Sequence, residues 1–340
     1  MRRAGGQSAG FFSLCFLLAI AIAQCAVAAE SKARATLNAM GPGINILGYD
    51  GIWNGHLNAP FRLDYFDVIR KAGFRHVRIN LHAFKYLNTS NNLDPQLLSR
   101  LDAVLAAASS GGLVPVIDEH DFEDCQRDPN DCVAKTKAFW MAVSGYLAGK
   151  HPSAVFELLN EPGGDMTQQI WNDLIADLLN IIRAKNPDRT IIVAALNVDK
   201  PGQIDELKLP ENDRNLIVAY HYYKPMAFTH QGAPWEREFA NFKNVPWGSE
   251  AERQQITSDF DRISAWSKQH DRPIYLGEFG TYDKAPMWAR SEYLSFITRA
   301  AEHRGWSWAY WQFDHDFAAF NSETGAWVMP VLEALRPAPR

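Results

Sequence analysis

Two glutamates stand where an apolar run gives way to a loop. Val155-Phe156-Glu157-Leu158-Leu159 passes into Asn160-Glu161-Pro162, and Pro273-Ile274-Tyr275-Leu276 passes into Gly277-Glu278-Phe279-Gly280. A single glutamate at such a place is ordinarily solvated or ion-paired. Two that converge suit the cleavage of a glycosidic bond. One carboxyl group, kept protonated, donates to the leaving oxygen, while the other attacks the sugar carbon and forms a glycosyl-enzyme. On this reading Glu161 is the acid/base and Glu278 the nucleophile, and the chemistry needs neither a metal nor an organic cofactor.

Other polar residues at comparable places supply what such a pair requires. Arg78 lies between Val77 and Ile79, so its charge must be used or paired inside. It can hold a carboxylate through charge-assisted hydrogen bonds. His120 and the run His221-Tyr222-Tyr223 add neutral or switchable donors, and Asn160 beside the acid suits a sugar hydroxyl. Trp311 offers an apolar platform for the C–H face of a sugar ring. Each of these has a bland reading as a core or surface group; their common placement is what counts. The patch Asp118-Glu119-His120-Asp121 is unusually acidic. By strand alternation Glu119 points opposite to His120, into a helix layer, and ranks below Glu161 as the acid. Trp53, His82, Phe84, Trp235 and Trp247 are candidates for lining an open cleft. Phe84 and Trp235 lead, because each follows a candidate strand.

The two glutamates and the polar residues around them fall on strands or at their ends. From about residue 43, short apolar, β-branched runs alternate with longer segments of helical period. Candidate strands are 44–49, 76–81, 114–120, 155–160, 190–196, 216–223, 273–279 and 306–313. Several are almost continuously apolar, as expected of parallel strands covered on both faces. Residues 94–108 place Leu97, Leu98, Leu101, Val104 and Leu105 on one side, and residues 167–185 repeat the pattern until Asn186-Pro187 ends it. Eight strand–helix units predict an α/β fold, a single (β/α)8 TIM barrel whose active site gathers at the C-terminal strand ends. A doubly wound open sheet is the alternative, but no glycine-rich phosphate loop follows the first strand.

The barrel is expected over residues 30–340, because the first 29 read as a secretory signal peptide. Arg2 and Arg3 precede an apolar run from Phe11 to Ala23, and small residues close it at Ala26-Val27-Ala28-Ala29. An uncleaved membrane anchor is the competing reading, although the run is short for a bilayer. Cleavage near Ala28 or Ala29 would leave a secreted, extracellular or periplasmic chain with no stable membrane association. It would remove two arginines and no acids, taking the net charge from −5 to −7. Such a balance gives no reason to expect nucleic acid as partner. A monomer is expected. Export also explains the cysteines: the mature chain keeps only Cys125 and Cys132, flanking a polar, turn-rich stretch. In an oxidising compartment they should form a disulfide-closed loop; a metal site would find only His120 nearby.

Taken together, Leu159-Asn160-Glu161-Pro162, Gly277-Glu278-Phe279-Gly280, Val77-Arg78-Ile79 and His221-Tyr222-Tyr223 resemble glycoside hydrolase family 5, the cellulase-type retaining β-glycanases. The likeness extends from Gly43-Ile44-Asn45 to Trp311. It implies acid/base and nucleophile roles for Glu161 and Glu278. It also implies that Arg78, His120, Asn160, His221, Tyr223 and Trp311 surround the sugar at the cleavage point. The stretch from Tyr223 to Gly232 is similar to bacterial endoglucanases of that family, which points to a β-1,4-glucan as the polysaccharide substrate. Mannan, xyloglucan and mixed-linkage glucan are the alternatives, and a non-catalytic carbohydrate-binding barrel is a further one.

Overall fold

Eight parallel strands close into a barrel in strict sequence order, β1 pairing with both β2 and β8. They are β1 Pro42–Ile46, β2 His76–Leu81, β3 Val114–Glu119, β4 Val155–Glu157, β5 Ile191–Ala194, β6 Leu216–His221, β7 Ile274–Glu278 and β8 Ser307–Tyr310. A short antiparallel hairpin, β9 Phe320–Asn321 with β10 Ala326–Trp327, follows. The structure is a computed structural model that describes residues 1, 31–48, 50–54 and 60–336. The expected signal segment lies outside the described residues. Among them, no helix is long and apolar enough to cross a membrane.

All eight expected strands are present, as is the barrel. Most are shorter than the apolar pattern suggested, and the trimming falls mainly at the C-terminal ends, where Asn160, Glu161, Tyr223 and Trp311 leave the ladder. Loss of strand pairing there frees these residues to turn over the barrel mouth.

Helices wrap the outside: α2 Tyr65–Lys71, α3 Pro95–Ser110, α5 Pro129–Tyr146, α6 Gln168–Arg183, α8 Glu250–His270, α9 Met287–Glu302 and α10 Met329–Leu335. Between them run α4 Phe122–Arg127 and α7 Met226–Thr229. Local signals start several of these helices. Asp94 accepts from Gln96 N before Pro95 in α3, and Thr167 accepts from Ile170 N in α6. Ser249 and Glu252 form a reciprocal capping box on α8.

The core divides in two. A large layer between strands and helices takes the outward-facing residues, such as Ile44, Val77, Ile117, Leu158 and Val193, with helix residues such as Leu101, Trp171 and Phe260. A smaller cluster fills the barrel interior with Val116, Val155, Ile192, Ile217, Ala219 and Tyr275. The helix α1 Lys32–Met40 adds Ala33, Leu37 and Met40 to this inner cluster, so it closes the N-terminal end of the barrel. The opposite end stays open, and the polar residues collect there.

Candidate active site

Arg78 organises the floor of the open end. It sits on β2 with its side chain fully buried, and no water can solvate its guanidinium. Every donor is instead used on a neighbouring strand. Nε and Nη2 donate to the Glu157 carboxylate on β4 at 2.7 and 3.1 Å. Nη1 donates to Glu278 Oε1 at 2.6 Å and to Asn45 Oδ1 at 2.9 Å. Nη2 also reaches Asn160 Oδ1 at 2.8 Å and lies 3.1 Å from Asp118 Oδ2. One cation thus meets three carboxyl groups from β3, β4 and β7. Burial pushes the Asp118 carboxyl up to about 7, against the pull of Arg78 and the hydrogen bond from Asn80. Burial likewise raises Glu157, with Arg78 opposing it. The three carboxyl groups hold the Arg78 guanidinium charged.

Glu278 ends β7 on this floor. Its second oxygen, Oε2, accepts a hydrogen bond from the Tyr223 hydroxyl at 2.9 Å, so both carboxylate oxygens are anchored. Asn45 Nδ2 donates to the Gly277 carbonyl at 3.0 Å, which ties the end of β7 back to β1. Gly277 has a packing reason to lack a side chain: a Cβ there would lie 2.8 Å from His221 Nε2.

Glu161 occupies the other side of the mouth in a different setting. Its side chain is 28% exposed, and Oε1 lies 2.8 Å from His221 Nδ1, the two sharing a proton. Desolvation in the cleft pushes its carboxyl up to about 7, and the Asp199 carboxylate adds to the rise. His221 is fully buried, which lowers its ring to about 4 and keeps it neutral at pH 7. Glu161 therefore keeps its proton in about half of the molecules at pH 7, and among the described residues no Lys or Arg lies in hydrogen-bonding reach of it. One ligand atom each from Glu161, His221 and Glu278 lie within 4.8 Å of one another. That trio has the reach to hold a metal ion. Glu161 and His221 are already joined by a hydrogen bond, however, and both oxygens of Glu278 are taken by Arg78 and Tyr223.

Glu161 and Glu278 line a cavity of ≈ 590 Å³ together with His120, Asn160, Asp199, Tyr223, His230, Trp235 and Trp311, with Arg78 and His221 buried behind them. His120 stacks on Trp311, with ring centroids 5.5 Å apart and planes within 6°. Its Nδ1 contacts Asp118 Oδ2 at 2.5 Å, and burial lowers its ring to about 3. Trp235 is 47% exposed at the rim beside Tyr282 and Phe317.

Of the ten residues expected to act on or contact substrate, nine meet here: Arg78, His120, Asn160, Glu161, His221, Tyr223, Trp235, Glu278 and Trp311. Phe84 does not. It opens a 3-10 turn after β2 and is buried in the main core, with the Lys135 ammonium 5.5 Å above its ring. Trp53 and Trp247 are buried too: Trp53 Nε1 donates to the Leu47 carbonyl, and Trp247 packs on Phe228, Tyr293 and Phe296. His82 lies beside His120 in an adjoining recess with Asp121 and Glu123. Glu119 is buried away from the cavity lining, its carboxyl raised by burial and by Asp121. Asp118 and Glu157, which share Arg78, were not singled out as site residues from the sequence. The available signal was a carboxylate inside an otherwise apolar parallel strand, which must find a cation. Cys125 and Cys132 form the expected disulfide.

A closed parallel barrel with two carboxyl groups facing across its C-terminal mouth is the architecture of a glycoside hydrolase. The profile described as "Cellulase (glycosyl hydrolase family 5)" matches residues 37–316, and the chain belongs to that family. Endoglucanase H of Acetivibrio thermocellus is 27% identical over 314 residues, covering 87% of this chain and 33% of that protein. Thermotoga maritima Cel5A in complex with mannotriose superposes with a TM-score of 0.84 at 33% identity, covering 89% of this chain and 99% of that one. The same enzyme in complex with cellobiose gives 0.83 at 34%, with equal coverage. The chain spans between a third and two thirds of the length of the curated relatives it matches most strongly.

Proposed function

We propose that this chain is a retaining endo-β-1,4-glucanase that hydrolyses internal glucosidic bonds of a polysaccharide by double displacement. The observation that carries this reading is the approach of Glu161 and Glu278, with a carboxylate oxygen of each within 4.8 Å. Retaining enzymes hold their carboxyl groups about 5–5.5 Å apart, whereas inverting ones leave about 6.5–9.5 Å for a water. So close an approach of the two side chains supports the retaining reading.

The division of labour follows from the surroundings. Glu161, its carboxyl pushed up to about 7 so that it can still carry a proton near neutrality, donates that proton to the leaving oxygen as the bond breaks. Glu278, held by Arg78 and Tyr223 with its oxygens fixed, attacks the anomeric carbon. A glycosyl ester forms, and the leaving sugar departs with the proton from Glu161. Glu161, now a carboxylate, then takes a proton from water, and the hydroxide equivalent attacks the anomeric carbon and frees Glu278. Asn160, fixed by Arg78 at 2.8 Å, presents its amide to a hydroxyl of the bound sugar. Trp311 and Trp235 offer ring faces along the cleft.

The β-1,4-glucan assignment is supported by the relatives named endoglucanase and by a 34% identical structural neighbour holding cellobiose. A second reading, mannan, is favoured by the mannotriose complex of that same neighbour. Secretion is part of the proposal, supported by the basic–apolar–small segment of residues 1–29 and by the disulfide. N-terminal sequencing of exported protein, expected to begin near residue 29 or 30, checks it.

Initial rates on hydroxyethyl cellulose, galactomannan and xyloglucan test the assignment. The cellulose derivative should be cut fastest, with Glu278→Gln losing at least about 10³-fold in kcat while still binding substrate. Near-normal turnover by Glu278→Gln would refute the nucleophile assignment, and preference for galactomannan would establish the second reading.

A further inference from the structure

We infer that Gln126, on the short helix α4, is a positioning residue for the acid/base Glu161, and that the Cys125–Cys132 disulfide holds α4 in place to do so. The inference rests on Glu161 being the proton donor, as proposed above.

Glu161 leaves β4 with φ 37°, in the left-handed region that non-glycine residues occupy at a cost. Among the described residues its side chain has one hydrogen-bond contact, His221, so the aim of the carboxyl depends on where the backbone is held. Contacts on two sides hold it. On one side Asn197 N donates to the Pro162 carbonyl at 2.7 Å. On the other stands Gln126: its Nε2 donates to the Glu161 carbonyl at 3.1 Å, and its own carbonyl accepts from Asp165 N at 2.9 Å. Gly164 lies between these bonds with φ 60°, and a Cβ there would come within 2.6 Å of Gln126 Cβ. The turn from Glu161 to Asp165 is therefore pressed flat against α4.

α4 has six residues and cannot hold a helix by its own hydrogen bonding. Its anchor is the next residue back: Cys125, fully buried, is bonded to Cys132 on the first turns of α5. α5 is 18 residues long and packs on α6. The disulfide thus joins the seat of the acid/base to a rigid wall of the barrel. Gln126 does not line the cavity, so it acts through Glu161 and not on the sugar.

A residue that aims a proton donor should matter only when a proton must be donated. Loss of a contact that displaces a reacting group by a fraction of an ångström slows the step that uses it, by up to about 10²-fold for 1 Å. The test compares two substrates on Gln126→Met, which keeps the length of the side chain and removes its donor. A cello-oligosaccharide has a sugar leaving group that needs protonation; 2,4-dinitrophenyl cellobioside has one that leaves without it. The expected result is a fall of about tenfold in kcat/KM on the first, and of less than about twofold in glycosylation on the second. The Cys125→Ser/Cys132→Ser double variant should show the same selectivity. Folded wild-type protein treated with dithiothreitol, with free thiols counted, gives the same comparison without depending on refolding. A parallel fall on both substrates would mean a merely structural role and overturn the inference, as would no fall on either. If Glu161→Ala itself spares cello-oligosaccharide hydrolysis, the functional reading has failed instead.

Discussion

Replacing Arg78 by methionine would leave the floor of the site with three carboxyl groups and no cation. The side chain is fully buried and touches Asp118, Glu157 and Glu278 at 3.1, 2.7 and 2.6 Å. Removing one partner of a buried ion pair costs about 3–5 kcal/mol, because the remaining charge is neither solvated nor paired. For a chain of this size that corresponds to a melting point lower by about 5–8 °C. The loss should depend on pH, and its sign can be worked out. Burial raises Asp118 and Glu157, while Arg78 lowers both; without it both rise further above their unfolded values. A carboxyl raised by folding binds more protons in the folded state, so stability falls as pH climbs from the unfolded pKa near 4 towards the folded value. Urea titrations at pH 5 and pH 8 should therefore show a deficit relative to wild type that is at least about 1 kcal/mol larger at pH 8. Equal deficits at the two pH values, or a variant as stable as wild type, would refute the account of Arg78 as the counter-charge.

Three other perturbations bear on the same geometry. With Glu161 pushed up to about 7, the kcat/KM profile on cello-oligosaccharides should fall as pH rises through about 7, where the acid loses its proton. Asp199→Asn removes a carboxylate that contributes to the rise, so the limb should move to lower pH; an unmoved limb would discount Asp199. Gly277→Ala places a methyl group 2.8 Å from His221 Nε2. It should displace the ring from Glu161 and lower kcat at least about tenfold, whereas a hydrolysis rate equal to wild type would show that the ring yields without consequence. The cavity also carries Glu123 from α4 and Asp199, Glu236 and Asp316 from three loops, and among the described residues none of these forms an ion pair. Its one lysine, Lys224, faces Asp259 at 3.7 Å. Carboxymethyl cellulose should therefore be cut more slowly than hydroxyethyl cellulose in about 0.01 M salt. The gap should narrow in about 1 M salt, as the screening length shrinks from about 30 to about 3 Å; a gap indifferent to salt would exclude an electrostatic cause.

The barrel was legible because each buried parallel strand writes an apolar run between helical periods, and all eight runs are strands. The two glutamates were legible because a carboxyl group closing such a run has no packing reason to be there. What stayed hidden depended on long-range partners. Glu157 looks like one polar residue within an apolar strand until Arg78, from a strand on the other side of β3, comes to lie 2.7 Å away. Asp118 lies next to Glu119 and in the same acidic patch, yet the first faces the floor and the second is buried away from the cavity. Only alternation separates them. Trp53, Phe84 and Trp247 failed as cleft residues for the converse reason. An aromatic ring after a strand can stack on a sugar or fill a gap beneath a loop, and its sequence neighbours look alike in both cases. Gln126 carries no local mark at all; its use comes from the way the 161–165 turn folds back on α4.

On the proposed mechanism, the asymmetry of the two glutamates makes their roles non-interchangeable. Arg78 is the charged donor beneath the cavity, and its nearest contact there is Glu278 at 2.6 Å. The histidines around the mouth add no positive charge at neutral pH, because burial lowers His120, His221 and His230 to about 3, 4 and 4. Glu161 consequently sits in a desolvated cleft facing the Asp199 carboxylate, both of which favour its protonated form against the more distant pull of Arg78. Exchanging the roles would ask a carboxyl bound to a guanidinium to deliver a proton and one without a counter-charge to attack as an anion. The strand order fixes this division. β2 carries Arg78 into the floor, where its Nη1 reaches Glu278 at the end of β7, while Glu161 lies in the loop after β4 and meets His221 instead. Moving a positive charge next to Glu161 would undo it: an arginine at Asp199 should lower the Glu161 carboxyl and shift the acid limb of catalysis below neutrality.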